Sequence, residues 1–99
     1  MTVSVVTYRK GGTPEAVAAA AQKLKAFVLQ NGAQQFMLNS VVAGADAGQW
    51  ALIITFSDWD AFGKSMQGAS SDPAFRQVLS DLDAVAELVS RRIVMSVDL

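Results

Sequence analysis

The order of strand-like and helix-like segments predicts an α+β fold in which one antiparallel sheet bears its helices on one face. Two observations lead to this prediction. Segments rich in β-branched and apolar residues alternate with segments of helical periodicity in the order βαββααβ. The chain has 99 residues, a length at which one hydrophobic core forms, so residues 1–99 are expected to make a single domain.

The first strand and the first helix have clear sequence signals. The segment "TVSVVTY", residues 2–8, is rich in β-branched side chains and stops at the turn sequence "RKGG". The helix that follows begins with Thr13 as its N-cap and Pro14 at its first position, and it ends at Asn31-Gly32. Its apolar residues recur at helical spacing, which predicts one stripe facing a core: Val17, Ala20, Ala21, Leu24, Phe27 and Val28.

Two further strands are predicted in the middle of the chain. They are "QQFMLNSVVAG" and "QWALIITF", and the glycine-rich sequence "AGADAG" between them suits a hairpin turn. The second of these strands is apolar on both faces. One face has Trp50, Leu52, Ile54 and Phe56, and the other has Ala51, Ile53 and Thr55. Because helices can cover only one face of the sheet, we expect a second copy of the chain to cover the other.

The stretch over residues 56–75, "FSDWDAFGKSMQGASSDPAF", contains two helix-start signals close together. Ser57 or Asp58 is predicted to cap a first short helix, which Gly68 ends. A second helix is predicted to begin at "SDP", residues 71–73, with its serine or aspartate as the N-cap. The segment "AELVSRRIVMSVDL" then forms the last strand. Two right-handed crossovers onto the same side of one antiparallel sheet give the ferredoxin-like arrangement.

Composition excludes several classes of function. Eight basic and nine acidic residues are scattered along the chain, which argues against nucleic acid or an anionic membrane as a partner. There is no cysteine and no histidine. Thiolate chemistry, a histidine general base and the usual zinc and haem ligands are therefore absent, so we expect no cofactor and no transition metal. No apolar stretch approaches the length of a membrane span, and a cytoplasmic protein is expected.

Five side chains are candidates for a ligand pocket, and each has an alternative role. They are Tyr8, Asn39, Trp50, Trp59 and Arg92. The tryptophans can stack on a flat ligand or pack in the core, and the tyrosine hydroxyl can donate to a ligand or reach solvent. The asparagine, in an otherwise apolar strand, indicates either a pocket or an edge. Arg91 and Arg92 point to opposite faces, so one of them lies at a dimer seam, binds an anionic ligand or is solvated.

The segments "VVTYRKGGTPE" and "FSDWDAFGKSMQGASSDPAF", together with the hairpin between them, resemble the dimeric α/β-barrel superfamily. The likeness is greatest to its antibiotic-biosynthesis-monooxygenase-like and NIPSNAP-like members, and it follows the element order over nearly the whole chain. The resemblance implies a homodimer whose two sheets close face to face into a barrel. It also implies outer helices and a small-molecule pocket between sheet and helices in each subunit.

The functional residues of that superfamily do not transfer to this chain. Haem-degrading members present a histidine where this sequence has Val78 or Leu79. The asparagine that those members have on the first strand corresponds to Val5, and their tryptophan after the helix phenylalanine corresponds to Ser65. The resemblance therefore implies no haem chemistry and identifies no catalytic residue here.

Three functional hypotheses follow from the sequence. The first is a small-molecule-binding dimeric α/β-barrel protein, acting as a cofactor-free oxygenase or an isomerase-like enzyme. The second is a non-catalytic binding or structural homodimer with a vestigial pocket. The third is an interaction module that uses an exposed sheet edge. An enclosed pocket with converging polar side chains would favour the first hypothesis, and an interior filled by side chains would favour the second.

Overall fold

The computed structural model describes all 99 residues. Its elements in chain order are β1 (Val3–Lys10), α1 (Pro14–Gln30), β2 (Gln35–Ser40), β3 (Trp50–Phe56), α2 (Trp59–Ser70), α3 (Pro73–Val85) and β4 (Glu87–Met95). The strands form one antiparallel sheet in the order β2-β3-β1-β4, and the helices lie on one of its faces. The ferredoxin-like βαββααβ prediction is confirmed. No helix is both long enough and apolar enough to cross a membrane.

Each helix begins at a side-chain cap that the sequence predicts. The Thr13 hydroxyl accepts from the Ala16 backbone N–H at 3.2 Å, and the Asp58 carboxylate caps α2 in the same way. The Asp72 carboxylate accepts the first free backbone N–H of α3 at 2.9 Å. Because each oxygen satisfies a donor that the helix itself leaves free, the two short helices start at defined residues.

The end of α2 differs from the prediction. The helix continues through Gly68 to Ser70, and its C-cap is Ser71. A glycine ends a helix when it adopts a positive φ, and Gly68 keeps the helical conformation, unlike the turn glycine Gly32 with φ 100°. The break between α2 and α3 is therefore only the two residues 71–72.

The core lies between the sheet and the helices α1 and α3. Leu24 and Val28 of α1, Leu52 of β3 and Leu82 of α3 are all almost fully buried and belong to one cluster. The rings of Phe27 and Phe75 complete the contact between the two helices, with centroids 5.1 Å apart. One buried cluster thus joins the sheet to both helices.

The turn after β1 lies against the end of α3. Gly12 has φ +78°, and a Cβ there would overlap the Val85 carbonyl oxygen and lie 2.9 Å from Val17 Cγ2. A residue with a side chain is therefore excluded by both conformation and space. The two-glycine turn lets β1 enter α1 directly beneath the carboxyl end of α3.

Candidate functional site

The sheet face opposite the helices, here called the open face, carries a largely apolar centre. Val6 of β1 pairs in register with Ile53 of β3, which pairs with Met37 of β2. Because side chains alternate along a strand, these three point away from the buried residues Val5 and Leu52. No element of the chain lies over them.

Polar side chains surround this apolar centre on the open face. The Ser4 and Thr55 hydroxyls are 2.9 Å apart and share one hydrogen bond. The Arg92 guanidinium lies over the Tyr8 ring, 5.4 Å from its centroid, and forms no ion pair. Asn39 is in the same cross-strand row as Tyr8, because both pair with Ala51. Three of the five predicted candidates therefore share the open face.

The other face of β4 meets α2. Alternation along β4 places Arg91, Ile93 and Met95 on the side of the helices, opposite Arg92. The Trp59 indole N–H donates to the Met95 sulfur at 3.2 Å. This hydrogen bond joins the first turn of α2 to the end of β4.

A second contact joins α2 to the middle of β4. The Arg91 guanidinium donates to the Met66 sulfur at 3.7 Å. A thioether is a weak acceptor, and Arg91 has no carboxylate within ion-pair distance. Its donors are therefore largely free to bind another group.

A shallow, wide-open groove runs along α2 beside these contacts. Trp59 is 53% exposed and lies at one end of it, held edge-to-face against Phe62 with ring centroids 5.7 Å apart. The groove is lined by Trp59, Asp60, Gly63, Lys64, Met66 and Gln67. We call this groove and the adjoining side chains Arg91, Ile93 and Met95 the α2–β4 groove.

Trp50 lies apart from the other candidates. It packs on the helix face against the core cluster, and its indole N–H donates to the Gly11 carbonyl at 2.9 Å. This donor has a backbone partner, so Trp50 fixes the turn after β1. The five candidates thus separate into a group on the open face, Trp59 in the α2–β4 groove, and Trp50 in the core.

Arg9 is an important residue that the candidate set omits. It is 4% exposed, and its Nη1 donates to the Asp83 carboxylate at 2.7 Å and to the Ala86 carbonyl at 3.0 Å. Its Nε is buried without a partner. Alternation from Val3 and Val5 would have placed Arg9 on the helix face, but its acidic partner is 74 residues away in sequence.

The acidic side chains do not form a metal site. No three groups among His, Cys, Asp and Glu lie close enough together to hold a metal ion. Apart from the half-buried Arg9–Asp83 pair, the ion pairs lie at the surface, as in Lys64–Asp60 at 3.0 Å and Lys23–Asp81 at 3.5 Å.

Solved structures share this fold over nearly their whole length. SnoaB, a cofactor-independent oxygenase from Streptomyces nogalater, in a single-residue variant, is 18% identical, with a TM-score of 0.76 over 99% of this chain and 95% of that one. Protein Atu4242 from Agrobacterium tumefaciens is 16% identical, with a TM-score of 0.71 over 98% and 94%. A candidate antibiotic biosynthesis monooxygenase from Caulobacter crescentus is 14% identical, with a TM-score of 0.70 over 98% and 91%.

These likenesses confirm the predicted resemblance to monooxygenase-like α/β-barrel proteins at the level of the fold. At such identities they establish the fold alone. No curated protein matches the sequence. One family profile, described as a domain of unknown function (DUF6854), matches residues 4–96, and the chain belongs to that family.

Proposed function

We propose that the protein is a homodimeric α/β barrel that binds a small aromatic molecule in the α2–β4 groove of each subunit. The observation that supports binding most strongly is that the groove has the exposed Trp59 at one end and Arg91 beside Met66, seven residues or about 10 Å further along α2. Arg91 is a cation that has no carboxylate partner. An exposed aromatic ring and a free guanidinium at this separation in one groove are suited to a flat, elongated ligand that carries a negative or strongly polar oxygen.

The apolar residues of the open face are the reason for proposing a homodimer. Val6, Met37 and Ile53 form a continuous apolar row on a face that no helix of the same chain covers. Met37 is exposed, and Val6 and Ile53 are half-buried although no helix covers them. Apolar rows left uncovered in this way usually mark an interface in soluble proteins. A second copy stacked on this face would bury the row and the Tyr8–Arg92 pair together, and the α2–β4 groove would remain on the outside.

The side chains of the α2–β4 groove suggest the ligand class. Trp59 offers an indole edge and face, and the thioethers of Met66 and Met95 adapt to irregular aromatic surfaces. Arg91 supplies fixed donors to an oxygen atom, and its positive charge favours the ionised form of an acidic hydroxyl. A polycyclic phenol that ionises near neutral pH fits both features.

An oxygenase reaction on such a ligand is the activity that we propose. SnoaB, which has the same fold over nearly the whole chain, is a cofactor-independent oxygenase. Oxygenation without a cofactor requires an electron-rich, ionised substrate, and Arg91 would stabilise that anion in the groove. The chain has no histidine or cysteine to act as a base, so the substrate would ionise by its own acidity.

A non-catalytic homodimer is the second candidate. It is favoured by the core between the sheet and the helices α1 and α3, where Leu24, Leu52 and Leu82 pack in one buried cluster. On this hypothesis the groove binds a ligand without chemistry, or binds none.

Binding is tested with 2,4-dinitro-1-naphthol as the probe, because its hydroxyl is ionised at neutral pH. Titrations are monitored by the quenching of tryptophan fluorescence in a Trp50→Phe background, so that Trp59 reports alone. We expect saturable quenching, and Arg91→Met should weaken the affinity for the ionised naphtholate by about tenfold, as expected for loss of one charge-assisted hydrogen bond. Arg76→Met is the matched control, because Arg76 is an exposed arginine on α3 that forms no ion pair.

The outcomes separate the two candidates. Saturable binding with oxygen uptake in the presence of polycyclic phenols supports the oxygenase, and binding without oxygen uptake supports the non-catalytic protein. Quenching that does not saturate, or that is unchanged in the Arg91 variant, contradicts the proposed binding site.

A further inference from the structure

We propose that residues 97–99 of one copy dock into a groove between α1 and β2 of the second copy. The inference rests on the homodimer proposed above and adds a specific contact to it. It concerns the opposite edge of the sheet from the α2–β4 groove and assigns no part of the ligand site.

The receiving groove is small and mainly apolar. It has a volume of about 190 Å³. Its walls are Ala18, Ala21, Gln22 and Lys25 of α1 and Phe36 and Leu38 of β2. Lys25 forms no ion pair, so a free positive charge stands at an apolar groove.

The proposed occupant follows β4. Ser96 is held by its backbone N–H, which donates to the Thr2 carbonyl at 3.0 Å, and by its hydroxyl, which accepts from the Thr2 N–H at 2.8 Å. Beyond this anchor Val97 is 76% exposed and Leu99 fully exposed. Asp98 between them forms no ion pair. The segment therefore presents two aliphatic side chains and one free negative charge.

The same copy cannot supply this segment to its own groove. The strands β4 and β2 are the two edges of the sheet, three strand spacings or about 14 Å apart. Three residues span at most about 10 Å, and the helices α1 and α3 cover the sheet in between. The occupant must come from another chain.

A two-copy barrel places that segment beside the groove. When two sheets of order β2-β3-β1-β4 close by rotation about the barrel axis, the β4 edge of one copy meets the β2 edge of the other. Strand β2 pairs antiparallel with β3, and β3 pairs antiparallel with β1, so β2 and β1 run in the same direction. Strand β4 pairs antiparallel with β1, so β4 and β2 run in opposite directions. The two edges can then meet antiparallel, and Asp98 leaves the sheet near the end of α1 that carries Lys25.

Charge reversal tests the contact. We prepare Lys25→Glu, Asp98→Lys and the double variant, and measure the dimer dissociation constant by sedimentation at low salt. Each single reversal should raise this constant about two- to fivefold, the size of a solvent-accessible ion pair, and the double variant should restore it. Arg76→Glu is the control and should leave the constant unchanged.

Mixing shows whether the contact joins two chains. In a mixture of Lys25→Glu protein with Asp98→Lys protein, the heterodimer has two attractive pairs and each homodimer has two repulsive ones. We expect heterodimers to exceed the statistical fraction. Restoration in the double variant without enrichment in the mixture would place the contact within one chain and overturn the proposal.

Two further substitutions test the apolar part of the contact. Val97→Asp and Leu99→Asp should each raise the dissociation constant at least about tenfold, because each removes a buried aliphatic side chain. Both residues are exposed in one copy, so circular dichroism should show an unchanged fold. A wild-type dimer that is insensitive to these substitutions overturns this inference alone, whereas a wild-type monomer overturns the proposed dimer itself.

Discussion

Arg9 shows how one side chain joins the two ends of the sequence. Its guanidinium is buried at the end of β1 and binds Asp83 and the Ala86 carbonyl near the end of α3. A buried guanidinium costs free energy unless its donors are paired. Removing the carboxylate would leave this charge with a single backbone acceptor.

Asp83→Ala should therefore lower the free energy of unfolding by about 1.5 to 3 kcal/mol, the usual contribution of a hydrogen bond to a charged group. Asp81→Ala is a matched control on the same helix. The Asp81 carboxylate meets Lys23 at 3.5 Å and accepts from Gln77 at 2.9 Å, and because both contacts lie at the surface, their loss should cost less than about 1 kcal/mol. Urea unfolding measures both. Equal losses for the two variants would show that Arg9 does not depend on its carboxylate partner.

At the scale of the elements, the break between α2 and α3 decides how two short helices lie on the sheet. Asp72 caps α3 through the Ala74 N–H at 2.9 Å. The Ser71 hydroxyl instead donates to the Gly68 carbonyl at 3.2 Å in an exposed position. The two residues therefore contribute differently, although both belong to the same predicted helix-start signal.

Asp72→Ala should lower the free energy of unfolding by about 0.5 to 2 kcal/mol through the lost cap. Ser71→Ala should change it by less than about 0.5 kcal/mol, because only an exposed bond is lost. Amide exchange should be faster at residues 71–72 than in β3. Protection there equal to that of β3 would indicate one continuous rigid helix.

Local signals explain which elements could be predicted. The N-caps Thr13, Asp58 and Asp72 act within two or three residues, so sequence patterns suffice to place the starts of the helices. The end of α2 could not be predicted from Gly68, because glycine is compatible with both a helix interior and a helix end. Strand alternation correctly placed Arg91 and Arg92 on opposite faces.

The candidate site was less predictable, because its contacts join distant segments. The position of Trp59 depends on where α2 meets β4, and its partner Met95 is 36 residues away. Arg91 is a candidate for ligand binding because no carboxylate lies within ion-pair distance of it, and this is a property of the folded chain. Propensity and periodicity describe single helices and strands, and neither specifies the tertiary contacts between α2 and β4.

At the scale of the whole molecule, the open face is the feature that one chain leaves incomplete. Helices cover the residues around Val5 and Leu52, and nothing covers Val6, Ile53 and Met37 on the other side. The dimer proposed here would turn this uncovered row into a second core. A charge placed in the row should then prevent association, since it would be buried without a partner.

Association through the open face is tested by sedimentation of the wild-type chain beside Ile53→Glu, with Val42→Glu in the exposed β2–β3 loop as control. At about 10 µM we expect the wild type and the control to sediment at twice the chain mass of 10.5 kDa, because a specific interface should exceed about 1,000 Å². We expect Ile53→Glu to sediment as a folded monomer, because the interface would bury its charge without a partner. A wild-type chain that remains at 10.5 kDa, or an Ile53→Glu protein that dimerises as tightly as the wild type, would contradict a dimer closed over the open face.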